Sequence, residues 1–465
     1  MFKNHNRHDV RERQAGEQRM LDRHGLWRSI VRFSLPVIGC GIVQQSFNSI
    51  DLAVVGRMVS SSALAAVGAN GPVISLIITL FMGLALGSNV VISRALGARN
   101  DEVVRRTVAT QAMVAVVAGV FLLIVGIGLS APLLASLDTP DDILPSATRY
   151  LRIYALGFPA MLVYNFMSAV LRSMGDTMRP FLWLVIGGVV NLALNLMLVY
   201  VFGMGVEGVA IATSVSNVVS AAGVTLKLMR TDGPTRFVPG QMRIYASEFW
   251  AMVRIGLPAG IQGTLFAFSN VIIQSALNRL GASAMAGSAA ALTYELYGYF
   301  VISAFVQAAL AFVSINYGAG QYDNCRRIMW RCMVLALGGS FVLNSLVVLN
   351  NYNAVAVLTS SSEAIHYGML RISNVLLWQF VACSYEISGA AMRALGHSLT
   401  PMMITLLGTC VMRVWWVRLS GFILDFNMLM AIYPITWFFT GCIMMVAYFF
   451  VSHRAFSHPC VKLVK

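Results

Sequence analysis

Apolar residues along this chain come in runs of about twenty, separated by short polar segments. A helix rising 1.5 Å per residue needs about 20 apolar residues to cross a hydrocarbon layer of ~30 Å, so each run predicts one membrane span. The first half predicts spans near 30–55, 64–90, 107–130, 150–171, 181–202 and 205–227. The second half predicts spans near 252–277, 286–313, 329–349, 369–391, 400–422 and 428–451. The expected fold is an all-α membrane protein of twelve transmembrane helices, six in each half.

The two halves also repeat each other in sequence. YNFMSAVLRSMGDTMRP from Tyr164 aligns with YEISGAAMRALGHSLTP from Tyr385, so Tyr164, Arg172 and Pro180 fall on Tyr385, Arg393 and Pro401 without a gap. SRALGARNDEVVRR from Ser93 and SINYGAGQYDNCRR from Ser314 keep the same offset of 221 residues. An even number of spans per half gives both halves one orientation, and hence two six-helix bundles related by a pseudo-two-fold axis along the membrane normal. Parallel repeats of this kind commonly carry a substrate path at their interface and alternate access by rocking, which points to a transporter. The boundaries expected are a basic tail at 1–28, an N-lobe at 29–227, an inter-lobe linker at 228–251, a C-lobe at 252–451 and a C-terminal tail at 452–465.

Composition agrees with membrane embedding: 58% of residues are hydrophobic and 11% charged, against roughly 25% charged in a soluble domain. The 33 Lys and Arg against 19 Asp and Glu raise the question of nucleic acid, and their placement answers it. With the N-terminal tail assigned to the cytoplasm, 26 basic residues fall on that side, 6 on the other, and Arg413 lies within a span. This is the positive-inside pattern; it predicts cytoplasmic termini and makes nucleic-acid binding unnecessary. Residues 1–28 are too charged for the apolar region of a signal peptide. The seven cysteines include no C-x-x-C, which argues against a disulfide framework or a zinc site. No H-E-x-x-H, G-x-S-x-G or P-loop is present, so neither an enzyme nor an ATP-driven pump is expected.

Five strings, in order along this duplicated frame and two of them within the repeated motifs, resemble the multidrug and toxic compound extrusion (MATE) family of prokaryotic type: LPVIGCGIVQQSFNSIDLAVVGR, ALAAVGANGP, LRSMGDTMRP, GMGVEGVAIAT and NYGAGQYDNCRR. The resemblance covers the chain from Ser34 to Phe450. It implies secondary antiport in a prokaryotic cytoplasmic membrane: export of amphipathic, often cationic organic compounds by a monomer, driven by inward H⁺ or Na⁺ and needing no cofactor. A lipid-linked precursor flippase of the same wider superfamily is the alternative. That activity calls for a markedly cationic cavity, whereas here one deep arginine stands against three acids.

Ionisable residues within spans are functional candidates by default, because each costs roughly 2.5–3.5 kcal/mol at mid-bilayer on insertion scales. Four stand out: Asp51, Glu295, Glu386 and Arg413. Asp51 shares a helix face with Gln44 and Asn48, seven and three residues back. Asn191 and Asn195 are four apart in span five, and Thr213 lies in span six. The resemblance maps five polar sites, Gln44, Asp51, Asn191, Asn195 and Thr213, onto the family's N-lobe cation or proton site, with Asp51 as its carboxylate and Asn48 a neighbour. It also implies a departure, since the position of Asn195 is often an acid in prokaryotic members. One carboxylate suffices for a proton, whereas sodium would need further oxygen ligands, which tilts the expectation to H⁺. The same amides also suit simple helix-to-helix hydrogen bonding.

The C-lobe is the more acidic half. Glu386 occupies the repeat position of Asn165, and Arg413 falls within one residue of that of Asn191. The expectation is a buried network of Glu386 and Arg413, with Glu295 a possible third member, either as a static pair or as part of coupling. A carboxylate beside an arginine stays ionised, leaving the other glutamate as the better proton carrier. Gln44, Asn48, Tyr164, Asn165, Tyr294 and Tyr385 are the expected substrate-path residues, polar or aromatic side chains in spans bordering the interface, where aromatic faces attract cations.

Overall fold

The computed structural model describes residues 16, 18, 20–22, 25–136, 139–419 and 425–457. The expected tails at 1–28 and 452–465 therefore lie largely outside the described residues. All regular structure among these residues is helical. The first half contains α1 (Leu26–Met58), α2 (Ser61–Gly97), α3 (Asp101–Gly128), α4 (Ser130–Ala135), α5 (Leu144–Ala155), α6 (Phe158–Ser173), α7 (Met178–Asn195) and α8 (Val206–Arg230). The second contains α9 (Ala246–Asn278), α10 (Ala282–Gly318), α11 (Tyr322–Leu349), α12 (Asn351–Ala356), α13 (Ser362–Arg371), α14 (Cys383–Ala394), α15 (Leu399–Thr405), α16 (Met412–Leu419) and α17 (Phe426–Ser457).

Among the described residues eleven stretches are long and apolar enough to cross a bilayer, and α5 with α6, bent by 47°, makes a twelfth if the pair is one span. The bend has a local cause: Pro159 sits in the first turn of α6, where it has no N–H to continue the preceding helix. Residues 231–245 connect α8 to α9. That segment is tied to α3, because the Tyr245 backbone N–H donates to Thr110 Oγ1 at 3.1 Å.

The chain divides into two compact units. Unit 1 is built mainly from Gly39–Gly256; unit 2 takes Met20–Ile38 and the chain from Leu257 onward. In unit 1, Val54, Val55, Ala63, Val67, Val206, Val209 and Ala210 form a buried apolar cluster. In unit 2, Ala290, Ala291, Val355, Ile365, Ile372 and Leu376 do so. Small and β-branched residues let helices approach closely where lipid supplies no hydrophobic drive between them.

The repeat extends to backbone conformation. Gly175 (φ 81°) and Gly396 (φ 87°), 221 residues apart, both adopt the left-handed region in the turn after the matched arginine. Gly320 (φ 72°) does the same at the other matched turn, and its twin is Arg99 (φ 54°), the one described non-glycine residue with positive φ. A side chain there costs roughly 1–2 kcal/mol, so the turn geometry is held even where glycine has been lost.

Three spans depart from α geometry. The fifth continues past Asn195 through a π-helical turn at Leu196–Val201, and the eleventh carries one at Leu406–Val411 just before α16. The tenth is interrupted by a π turn at Ile372–Leu376 and a 3₁₀ turn at Gln379–Ala382. Carbonyls in a bilayer must find donors within the protein, and buried amides supply them. Asn344 Nδ2 donates to Leu376 O at 2.9 Å, and Gln379 Nε2 donates to Glu295 O at 2.8 Å. Gly298 makes room for both, since a Cβ there would lie 2.6 Å from Asn344 Oδ1.

Candidate functional site

In unit 1 the site is assembled by α1, α7 and α8. Phe47 of α1 lies directly against Gly188 of α7, in space that any Cβ would fill. This close approach brings the next turn of each helix together, Asp51 on α1 with Asn191 and Asn195 on α7. Asp51 is 8% exposed. Its Oδ1 accepts from Asn195 Nδ2 at 2.5 Å and its Oδ2 from Thr213 Oγ1 at 3.3 Å. Asn195 Nδ2 also donates to Asn191 Oδ1 at 3.1 Å, and Asn191 Nδ2 donates to Thr213 Oγ1 at 3.3 Å. The four residues close a ring around one carboxylate.

Two features give that ring chemical options. Thr213 has a single hydroxyl hydrogen and two acceptors in reach, Asp51 Oδ2 and its own helix's Val209 O at 3.0 Å. The hydroxyl can therefore serve an ionised carboxylate and turn to the backbone when that carboxyl is protonated. Asn195 Oδ1 is buried without a hydrogen-bond partner among the described residues, leaving an acceptor free for a proton-bearing group.

Gln44 and Asn48 lie on the same helix as Asp51 but are exposed, and neither hydrogen bonds to it. Tyr164 and Asn165 are half-buried on α6. The Tyr164 hydroxyl donates to Pro180 O at 3.0 Å, and Asn165 Nδ2 donates to Met161 O at 2.9 Å.

Unit 2 differs from the expected network. Glu295 of α10 pairs with Arg371 of α13, not with Arg413. Arg371 Nε donates to Oε1 at 2.6 Å and Nη2 to Oε2 at 2.9 Å, while Nη1 donates to Ser288 Oγ at 2.5 Å. Both ion-pair partners are buried. Arg413 of α16 is wholly buried, yet Asn270 Oδ1, at 2.7 Å from Nη1, is its one hydrogen-bond acceptor among the described residues. The Phe266 and Tyr433 rings lie 5.0 and 4.6 Å from Cζ, and such faces offset part of the cost of a buried cation.

Glu386 is half-buried on α14 and forms no ion pair with Arg413. Arg393 lies two turns along the same helix and donates through Nη1 to Gln262 Oε1 at 3.1 Å. The reason is which helices face each other: α16 presents Arg413 to α9, and α10 presents Glu295 to α13. Tyr385 is buried, and the Tyr294 hydroxyl donates to Ala354 O at 2.8 Å.

Sequence reasoning missed Arg371, which fell at a predicted span edge and was counted with the outer basic residues. A signal was present: Ser288 and Glu295 are seven apart on one face of α10, and both meet Arg371. Asn270 was missed too, although aligning Pro36 with Pro258 places it on Asn48. No group of three or more His, Cys, Asp or Glu able to hold a metal ion occurs among the described residues.

Comparison with known proteins matches the family model MatE at residues 36–197 and again at 258–416, once in each half. The chain is 25% identical over 405 residues to the probable multidrug resistance protein YoeA of Bacillus subtilis, covering 84% of this chain and 85% of that one. It is 26% identical over 404 residues to the probable multidrug resistance protein NorM of Thermotoga maritima, covering 84% of each. Among solved structures, a MOP superfamily transporter from Pyrococcus furiosus has the same fold, with a TM-score of 0.88 at 21% identity over 96% of this chain and 99% of that one.

Proposed function

The chain belongs to the MatE family of membrane transporters, and from that premise we propose that it exports amphipathic, cationic organic compounds in exchange for inward protons, with Asp51 as the coupling carboxylate. The observation that carries this reading is the closed ring of Asp51, Asn195, Asn191 and Thr213. It holds one net charge inside a membrane span, and one proton removes it. Sodium fits this donor set less well: hard cations take oxygen ligands, and here both carboxylate oxygens already accept from an N–H or an O–H.

Transport follows from competition for that charge. With Asp51 ionised, a cationic compound is held by attraction that water screens little at a buried site. Protonation cancels the attraction, Thr213 turns to Val209 O, and the compound is released outward. Alternating access then carries the proton inward, which contributes about 2.3 kcal/mol per 100 mV of membrane potential and about 1.4 kcal/mol per tenfold gradient. Gln44, Asn48, Tyr164 and Asn165 in unit 1 and Tyr294 and Tyr385 in unit 2 are the residues we assign to contact with the compound. Within the spans of unit 2 we assign proton carriage to Glu386, because Glu295 is engaged by Arg371. We place the protein as a monomer in a prokaryotic cytoplasmic membrane; with Arg371 removed from the outer set, a 26 to 5 division of basic residues supports cytoplasmic termini.

The test is collapse of an imposed pH gradient in proteoliposomes on adding an organic cation dye, with and without Na⁺. Wild type is expected to collapse it without Na⁺, and Asp51→Asn to lose the effect while remaining folded. Collapse that requires Na⁺ would transfer the coupling to sodium; no collapse in either condition would remove the reading.

A further inference from the structure

The duplicated motif ending in paired arginines, Arg105-Arg106 and Arg326-Arg327, plays no part in the ring around Asp51, yet a cavity opens beside it in each unit. In unit 1 a cavity of about 390 Å³ lies between the first turns of α3 and the segment leading into α9, with Arg105, Arg106, Arg243 and Tyr245 in its wall. Arg106 and Arg243 stand over the Tyr245 ring, their Cζ atoms 5.4 and 5.8 Å from its centre. The wall is built in advance of any ligand, because Thr110 Oγ1 donates to Arg243 O and accepts from the Tyr245 N–H.

The charge of this cavity is unbalanced. Glu102 is its one acid, held by Arg106 Nε at 2.7 Å with Arg105 Nε at 3.8 Å. Arg243 has no carboxylate partner among the described residues, so two positive charges remain uncompensated. The cavity also lies at a membrane boundary, since the apolar run of α3 begins directly after Arg106. Ile244 and Trp250 flank it at 46% and 65% exposure, and exposed tryptophan is typical of the headgroup level.

Unit 2 has a cavity of about 460 Å³ whose α11 wall repeats the α3 wall of the first, with Arg326, the twin of Arg105, and Trp330, the twin of Ala109, while its other wall comes from α17. Its remaining wall is largely aromatic, with Phe449 and Phe450 strongly exposed. An arginine beside exposed apolar surface suits a ligand that is anionic at one end and hydrocarbon at the other.

We propose that the Arg105–Arg243 cavity binds the phosphate headgroup of an anionic phospholipid, and that the Arg326 cavity binds a second such lipid with its acyl part against the aromatic wall. The guanidinium fork matches phosphate oxygens two at a time, and the flanking apolar residues favour a lipid over free phosphate.

The test uses full-length protein stripped of lipid in detergent and titrated with phosphatidylglycerol, phosphatidylcholine or inorganic phosphate, following the thermal unfolding midpoint. Phosphatidylglycerol is expected to raise the midpoint saturably and phosphatidylcholine not to. Arg105→Gln with Arg243→Gln should weaken the apparent affinity about tenfold or more, and adding Arg326→Gln should remove the residual preference. Native mass spectrometry of wild type, which needs no variant to fold, should show two tightly retained phosphatidylglycerol molecules per chain. Equal response to the two lipids, unchanged affinity in the folded variants, or the same protection from inorganic phosphate alone would overturn the assignment.

Discussion

Arg371 holds Glu295 through two nitrogens, at 2.6 and 2.9 Å, in an ion pair that joins α10 to α13 among buried residues. A desolvated pair is weak support for stability relative to apolar residues of the same volume, but breaking one side of it leaves an uncompensated charge. This asymmetry makes its role measurable.

Arg371→Met alone should lower stability by about 3–5 kcal/mol, and Glu295→Leu alone by a similar amount. The double variant should recover most of the loss, and chemical denaturation in detergent gives the coupling energy. Single losses that simply add in the double variant would show that the pair does not act as a unit.

Arg413 poses the complementary case. Its main hydrogen-bond partner is neutral Asn270, at 2.7 Å, so Arg413→Met should leave stability unchanged or slightly raised. Asn270→Leu, which strands the buried guanidinium, should cost about 3 kcal/mol. Transport lost in a stable Arg413→Met protein would assign Arg413 to coupling; transport retained would make it a fixture of helix packing.

Asn195→Leu removes the 2.5 Å donor to Asp51 and the link to Asn191 together. Proton-coupled dye export should fall about tenfold or more, on the scale of a lost charge-assisted hydrogen bond of about 1.5–3 kcal/mol. Gln44→Ala and Asn48→Ala do not touch the ring and should alter the concentration of dye needed for half-maximal export while leaving protons exchanged per dye unchanged. A changed ratio in either would join those residues to the coupling site.

Gly188→Leu fills the space against which Phe47 packs. Overpacking of this kind costs about 1–3 kcal/mol, and here it also separates α1 from α7, so export should fall with stability. Phe47→Ala in the same chain should restore part of both, as measured by thermal unfolding and dye export. No rescue would mean that the approach of α1 to α7 is set elsewhere.

The spans were legible in the sequence because bilayer thickness imposes a length that apolar runs must meet, and each predicted span overlaps an observed helix or a pair of consecutive helices among the described residues. In unit 1 the residues Asp51, Asn191, Asn195 and Thr213 stood out as polar groups in spans, and it was the family resemblance, not their spacing, that grouped them across three helices. Unit 2 resisted this reasoning. Glu295, Glu386 and Arg413 were all recognisable as lying within spans, but nothing in their spacing says which helix each faces, and Arg371, at the edge of the predicted span 369–391, reads from sequence as an outer basic residue although it is buried at the end of α13. Small residues such as Gly188 and Gly298 gave no warning that they set helix separation.

What the sequence determined by itself is the membrane class, the duplication, the number of spans and the residues too costly to bury alone, since each follows from local composition or from comparing the chain with itself. Tertiary structure alone decided the partners: Asp51 with Asn195 and Thr213, Glu295 with Arg371, Arg413 with Asn270. A buried charge states that it needs a partner, while contact ranges of about 3 Å are met only once helix rotation, the 47° bend and the π turns are in place.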